Sequence, residues 1–406
     1  MTHRFARLRR FHFNLPQRIA AVLLALFLAQ GFWLIAHQTL NDGDYQYARC
    51  GREMWERPSP LAGYYTSCGN IHDGVLAYRA AGLPLTLNLL AERAIDVFRK
   101  PEDRVIQSAG QQGEQLSTWE LRHAMPHVLL LMRLPFLFAG FVLGGALWWV
   151  TRRLFGNFGG YTALSLYCFS PAILKACVRP APEILAALGV FAGIYTCMGV
   201  AHAMHGPRRK WRPRIVLLVL SFGLAAAAHI AALPVVAILG LLAMLWIAEG
   251  RRSQVLPVIL LACVGALLMV FACYGFSPDA FSYLFRSAAG FLWFSRDSAR
   301  QFFTSLPNAG ILIATVAAII LYLGVRRSRY FGNSAPLFCA LVLLLLFTTN
   351  VPSSPWLWAQ PFLFTFIGGV FADAYESPRP RLALAAGGAI VVLQAVFCVL
   401  SLPGLL

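Results

Sequence analysis

The sequence predicts an all-α protein, a polytopic transmembrane helix bundle of about eleven helices with a long first extracytoplasmic loop that carries amphipathic helices. Three observations predict this. The chain of 406 residues is 58% hydrophobic and only 13% charged, with mean hydropathy +0.64, whereas a soluble domain carries about 25% charged residues. Apolar runs such as Ala20–Ala36 and Leu256–Cys273 reach or approach the ~20 residues that cross a bilayer core. These runs are apolar on every side rather than alternating. Because backbone amides in lipid must be bonded internally, they read as helices and not as barrel strands. Finally, the basic residues fall between the runs in a pattern that alternates from one side of the membrane to the other.

Taken in order, the expected spans are 19–37, 128–150, 158–176, 184–203, 215–229, 233–248, 255–275, 309–325, 335–349, 356–373 and 382–402. The Arg-rich start, Arg4 to Arg10 and Arg18, resembles a signal-peptide n-region. No small-residue cleavage site follows Ala36, so the first helix is expected to be retained. With the N-terminus in the cytoplasm, the inner segments carry 19 Lys and Arg and the short outer segments carry four, Arg179, Arg286, Arg296 and Arg300. That asymmetry is the positive-inside pattern. It requires the apolar stretch 215–248 to fold as a tight hairpin near His229 and Pro234, since one long helix there would invert every later loop. The expected location is the bacterial inner (cell) membrane. The net charge of +17 finds its place at cytoplasmic helix ends, so nucleic acid is not the expected partner. The bilayer is. No zinc-type Cys/His spacing is present.

The first outer loop, 38–127, is the one long stretch unsuited to a membrane, and it holds 11 of the 17 acidic residues. Leu83–Phe98 has apolar residues at helical spacing with Glu92, Arg93 and Asp96 on the other side, the pattern of an amphipathic helix on the outer leaflet. Ser108–Gln115 breaks that pattern, and Ser117-Thr118-Trp119-Glu120 reads as a capping box opening the next helix. Two cysteines, Cys50 and Cys68, lie in this loop. An oxidising compartment would link them. The remaining seven fall within or at the edge of spans and read as packing residues.

Candidate chemistry gathers at the outer rim. Asp42 and Asp44 sit in Asn41-Asp42-Gly43-Asp44-Tyr45-Gln46-Tyr47, just past the first membrane exit. With one residue between them they do not share a helix face, but an extended or turning loop can aim both at one cation or hydroxyl. A carboxylate in a partly desolvated position can act as a general base. The same letters also spell an ordinary turn that caps a helix. Glu183, in Val178-Arg179-Pro180-Ala181-Pro182-Glu183, is the only acid between Glu120 and Glu249. It suits either a site or the positive end of a helix dipole. Lys175 and Arg179 beside it, together with Arg133 near the outer start of its span, form a basic set fit for phosphate. His72-Asp73 reads as an acid/base or metal pair, or as solvated loop. Arg286 and Arg296, among Phe281, Tyr283, Phe291, Trp293 and Phe294, suit an anionic lipid headgroup or an interfacial aromatic belt.

These residues resemble the GT-C superfamily of integral-membrane glycosyltransferases, which includes protein O-mannosyltransferases, the lipid A aminoarabinose transferase and oligosaccharyltransferases. The resemblance covers roughly residues 19–250, the expected catalytic membrane module, between a basic N-terminus (1–18) and C-terminal helices (251–406). It rests on three blocks. They are Asp42-Gly43-Asp44-Tyr45 after the first helix, Met132-Arg133-Leu134-Pro135 through Arg152-Arg153-Leu154-Phe155-Gly156, and Phe169-Ser170-Pro171 followed by Arg179-Pro180 and Glu183. There are departures. Gly43 separates the first-loop acids, the second-loop acid is Glu rather than Asp, and Trp356-Leu357-Trp358-Ala359-Gln360-Pro361 stands where an Arg/Tyr-rich motif is common. The resemblance implies a polyprenyl-phosphate-linked sugar as donor and a glycan, lipid or protein as acceptor. It also implies an outer-loop aspartate as base, and inversion at the anomeric carbon. Some members bind a divalent cation, Mg or Mn, through the loop acids, here Asp42, Asp44 and Glu183. The competing classes are a lipid or glycan transporter (flippase) and a non-catalytic subunit of envelope assembly. A transporter places charges near the midplane, whereas here they sit at the outer rim.

Overall fold

The structure is a computed structural model. It describes residues 14–39, 41–56, 71, 74–98, 125–206, 208–287, 300, 303–304, 306–324, 330–345, 355–377 and 380–405. These residues form fourteen α-helices and two short 3-10 turns, with no strand among them. In chain order the helices are α1 (Leu15–His37), α2 (Asp42–Glu56), α3 (Val75–Phe98), α4 (Met125–Cys168), α5 (Pro171–Cys177), α6 (Pro182–Met204) and α7 (Arg208–Ala228). They continue with α8 (Ala232–Ile247), α9 (Val255–Cys273), α10 (Pro278–Ser287), α11 (Leu306–Gly324), α12 (Tyr330–Leu345), α13 (Pro355–Tyr375) and α14 (Pro380–Ser401). Seven helices are long and apolar enough to cross a bilayer, namely α1, α4, α6, α7, α9, α13 and α14, the last including the turn that follows it. Four shorter apolar helices join them. The chain is an integral, multi-pass membrane protein.

The bundle is arranged around α13. Its apolar window is wholly buried, and it packs against α4, α6, α11, α12 and α14. Trp358, Phe362, Phe364, Phe366 and Phe371 fill the interior from this one helix. The outer helices turn large apolar residues away from the protein, as Leu256, Leu260, Val264 and Leu268 do on α9. In water such a surface would be a liability. In lipid it is the ordinary exterior. Association between α6 and α7 depends on small residues. A methyl on Gly189 would fall on the backbone of Ala225, so the two helices touch backbone to backbone, as small residues allow in membranes.

Three elements differ from the sequence reading. The expected spans 128–150 and 158–176 are joined in α4, which turns at Gly156 (φ 83°, ψ −175°). That conformation is essentially restricted to glycine. The same expected span 158–176 is also broken at its far end. Ser170 is extended and its hydroxyl accepts from the Ile173 N–H (3.5 Å), with Pro171 opening the separate helix α5. Proline has no N–H to continue α4, and a serine N-cap followed by proline starts a new helix. The third is the acidic stretch after α1. It is neither extended nor looped but helical, α2, and α3 begins eight residues before the expected Leu83. The break expected within 215–248 is present at 229–231, between α7 and α8.

Candidate active site

α1 ends at His37, and α2 starts four residues beyond Gln38. Asn41 caps α2: its side-chain oxygen accepts from the Asp44 N–H (2.7 Å) and its carbonyl from the Tyr45 N–H (3.0 Å). Asn is among the strongest N-cap residues because its short side chain reaches an orphan amide of the first turn. The capping turn allowed by the sequence is therefore real, and it aims Asp44 inward. Arg133 comes from the third turn of α4. Its Nη2 donates to the Asp44 carboxylate (2.5 Å) and to the Thr39 carbonyl (3.2 Å). Side-chain exposure is 1% for Arg133 and 6% for Asp44, so this is a buried ion pair. Its partners are 89 residues apart in the chain. Two further Arg133 nitrogens, Nε and Nη1, are buried without a hydrogen-bond partner among the described residues. A guanidinium with unmet donors in a dry setting can receive an anion.

α2 is held in place by α3. A Cβ on Gly51 would strike the Tyr78 carbonyl oxygen, and one on Gly82 would strike the Gly51 backbone. Only glycine permits this approach. Tyr47 stacks on Tyr78 at 4.3 Å between ring centroids. The Arg79 guanidinium lies over the Trp55 ring at 5.1 Å, and its Nε donates to the Cys273 carbonyl (2.5 Å), tying both helices to the end of α9. Cys50, also on α2, is disulfide-bonded. The seven cysteines within or at the edge of spans are free thiols, five of them buried. At the other end of the chain, Gln38 Nε2 donates to the Leu405 carbonyl (2.5 Å).

A second group of polar atoms surrounds the start of α6. Glu183 lies in its first turn, with its carboxylate bonded to its own backbone N–H and with His229 and Arg179 nearby. Its Oε2 is buried without a partner. His229 occupies the break between α7 and α8, where its Nδ1 accepts from the Ala231 N–H (3.3 Å). Its ring meets the Trp358 indole edge-on at 5.3 Å. Trp358 Nε1 is another buried donor without a partner. Gln360, two residues on, accepts from the Ser170 hydroxyl (3.1 Å), while its Nε2 has no partner. Both groups lie at one end of the bundle. A Cβ on Gly74, just before α3, would lie 3.3 Å from the Pro182 ring of α6 and 3.5 Å from the Ala228 carbonyl oxygen of α7.

The fates of the candidates differ. Asp44 and Arg133 are brought together. Glu183 and Arg179 face each other electrostatically, while Lys175, in the last turn of α5, is exposed. Asp42 is the first residue of α2 and Arg286 lies on α10, but their side chains fall outside the described structure, as do residues His72, Asp73, Arg296 and Cys68. Among the described residues, no three His, Cys, Asp or Glu side chains converge where they could hold a metal ion. Asp44 instead faces a guanidinium, whose charge opposes a dication beside it. His229 and Trp358 were not read as site residues. Each was a lone polar group in an apolar run, and its position opposite Glu183 depends on three helices packing together.

No family model matches the chain, and no curated protein matches it in sequence. Solved structures do match. The crystal structure of ArnT from Cupriavidus metallidurans in the apo state aligns with a TM-score of 0.60 at 15% identity, covering 92% of this chain and 62% of that one. The crystal structure of the same protein bound to undecaprenyl phosphate aligns with a TM-score of 0.59 over the same shares, again at 15% identity. The fold of this chain is therefore like that of ArnT, and the chain spans somewhat less than two thirds of the length of the structures it matches.

Proposed function

We propose that this protein is a membrane glycosyltransferase that moves a sugar from a polyprenyl-phosphate-linked donor to a glycan, lipid or protein acceptor. The reaction takes place on the extracytoplasmic face of the bacterial inner membrane, with the N-terminus in the cytoplasm. The observation that carries the reading is the buried Asp44–Arg133 pair, whose arginine keeps two nitrogens unbonded, on a fold shared with a protein crystallised with undecaprenyl phosphate. Arg133 holds the donor phosphate through those N–H groups. The Asp44 carboxylate takes the proton of the acceptor hydroxyl. The acceptor oxygen then forms its bond to the anomeric carbon as the bond from that carbon to the phosphate oxygen breaks. The electron pair leaves with the polyprenyl phosphate, and the Arg133 N–H groups stabilise the charge that develops there. Attack opposite the leaving phosphate inverts the anomeric carbon. Asp42 and Glu183 stand beside this route as further carboxylates. No step is assigned to a cation.

The test compares lipid and envelope-glycan extracts by mass spectrometry from cells with the wild-type protein, with Asp44→Asn and with no protein. A glycan or glycolipid mass present only with the wild type supports transfer. Identical extracts from all three would overturn it.

A further inference from the structure

The unmet polar atoms at the outer end of the bundle fall into two chemical kinds. Arg133 offers two donors, Nε and Nη1, on a positive charge. Beside α6 there are both kinds. Glu183 Oε2 is a buried acceptor on a carboxylate, and Trp358 Nε1 is a buried donor. His229 joins the two, since it neighbours Glu183 and packs edge-on against the Trp358 ring. Its Nδ1 accepts from the Ala231 N–H, so a neutral ring carries its proton on Nε2. Three elements therefore converge, the first turn of α6, the α7–α8 break and the outer turn of α13.

The ligand can be deduced by elimination. A phosphate is predominantly ionised at neutral pH and is repelled by the Glu183 carboxylate. An ammonium group can donate to the carboxylate but has no lone pair for the indole N–H. Sugar hydroxyls supply both, since one can donate its hydrogen to the carboxylate and another can accept at its oxygen from the indole N–H. A few placed polar groups within an apolar lining are the general form of a small-ligand site. We infer that Glu183, His229 and Trp358 form a subsite for the hydroxyls of a neutral sugar, complementary to the anion-binding Arg133. This rests on the glycosyltransferase reading and divides the donor between the two groups: phosphate to Arg133, sugar ring to the Glu183 group.

The experiment measures equilibrium binding to the full-length protein in nanodiscs. The probes are undecaprenyl phosphate and the same carrier bearing glucose, mannose, galactose or arabinose. The wild type is expected to bind at least one sugar-bearing carrier about tenfold more tightly than the bare one. Glu183→Gln and Trp358→Phe, each close to isosteric, should erase most of that difference and leave binding of the bare carrier within about twofold. Arg133→Gln should weaken bare and sugar-bearing carriers alike. A merely structural role for Trp358 or Glu183 would move all the affinities together, so the ratio is the deciding quantity. If the bare carrier binds but no sugar tightens it, or if the variants lower both affinities equally, the subsite is overturned while the donor reading stands. If the bare carrier does not bind at all, the donor reading fails and the subsite falls with it.

Discussion

Asp44→Asn tests the chemistry and the architecture together, and the structure allows the two to be separated. Asp44 and Arg133 are both almost fully enclosed. Removing one charge leaves the other buried without its counter-ion, which costs about 3–5 kcal/mol for such pairs. Asparagine can still accept one hydrogen bond from Nη2, which places Asp44→Asn near the lower end of that range. Proton removal by a positioned carboxylate is worth about 100- to 10,000-fold in rate, so transfer should fall by at least 100-fold. A drop in activity alone would not tell misfolding from lost chemistry. The double variant Asp44→Leu with Arg133→Met does, because replacing a whole buried pair by apolar groups of similar volume is often neutral or stabilising. The assays are thermal survival in detergent and transfer from the sugar-bearing carrier. The double variant should regain the stability lost by Asp44→Asn and remain inactive. If it regains transfer as well, Asp44 and Arg133 are a structural clamp and the proposed mechanism is wrong.

Other expectations follow from particular contacts. Gly51→Ala should destabilise the protein by about 1–3 kcal/mol and lower transfer, because its methyl would meet the Tyr78 carbonyl where α2 rests on α3. Unchanged melting and activity would mean that α2 is not seated there. Non-reduced peptide mass spectrometry should find Cys50 linked to Cys68, while the buried thiols Cys168, Cys177 and Cys197 resist aqueous alkylation until the protein is denatured. Two free thiols at positions 50 and 68 under trapping conditions would count against the link. Transfer should persist in excess EDTA, given a carboxylate already paired with arginine. Loss of activity with recovery on adding Mg or Mn would restore the cation. Finally, Gly113→Cys should label from outside intact cells. Labelling only after permeabilisation would invert the topology drawn from the charge pattern.

Much of the fold was legible because lipid leaves the chain few options. Runs such as Leu256–Cys273 announce a helix by length and composition alone. The shorter breaks were harder to see. Ser170-Pro171 is a helix-start signal, but it lies inside an apolar stretch long enough to span, and length was the stronger cue. Asp42-Gly43-Asp44 was read as turn or loop because Gly and Asp are poor helix formers. Asn41 supplies the cap that starts α2, and backbone contact with α3 through Gly51 secures it. The site was legible as residue types rather than as partnerships. Asp44 and Arg133 each stood out as charges at a membrane rim, yet nothing local links positions 89 residues apart. His229 marked a turn in the sequence, and only the packing of α6, α7 and α13 sets it between Glu183 and Trp358.

The buried position of α13 bears on how the protein is made. It is the least apolar of the seven spans and the most enclosed, and it carries Gln360, Thr365 and Asp373 in its length. An isolated segment enters a bilayer on its own hydrophobicity, and polar residues count heavily against entry. α13 is poorly equipped to insert alone. It emerges from the ribosome after α4, α6, α11 and α12, four of the helices that enclose it. The order of synthesis thus prepares a protein-lined slot before the helix that needs it appears. Biogenesis of this chain would then depend on α11 and α12 as well as on the helices that carry the candidate site. A lesion in α11 or α12 would show first as α13 stranded outside the membrane, before any fault in catalysis could be measured.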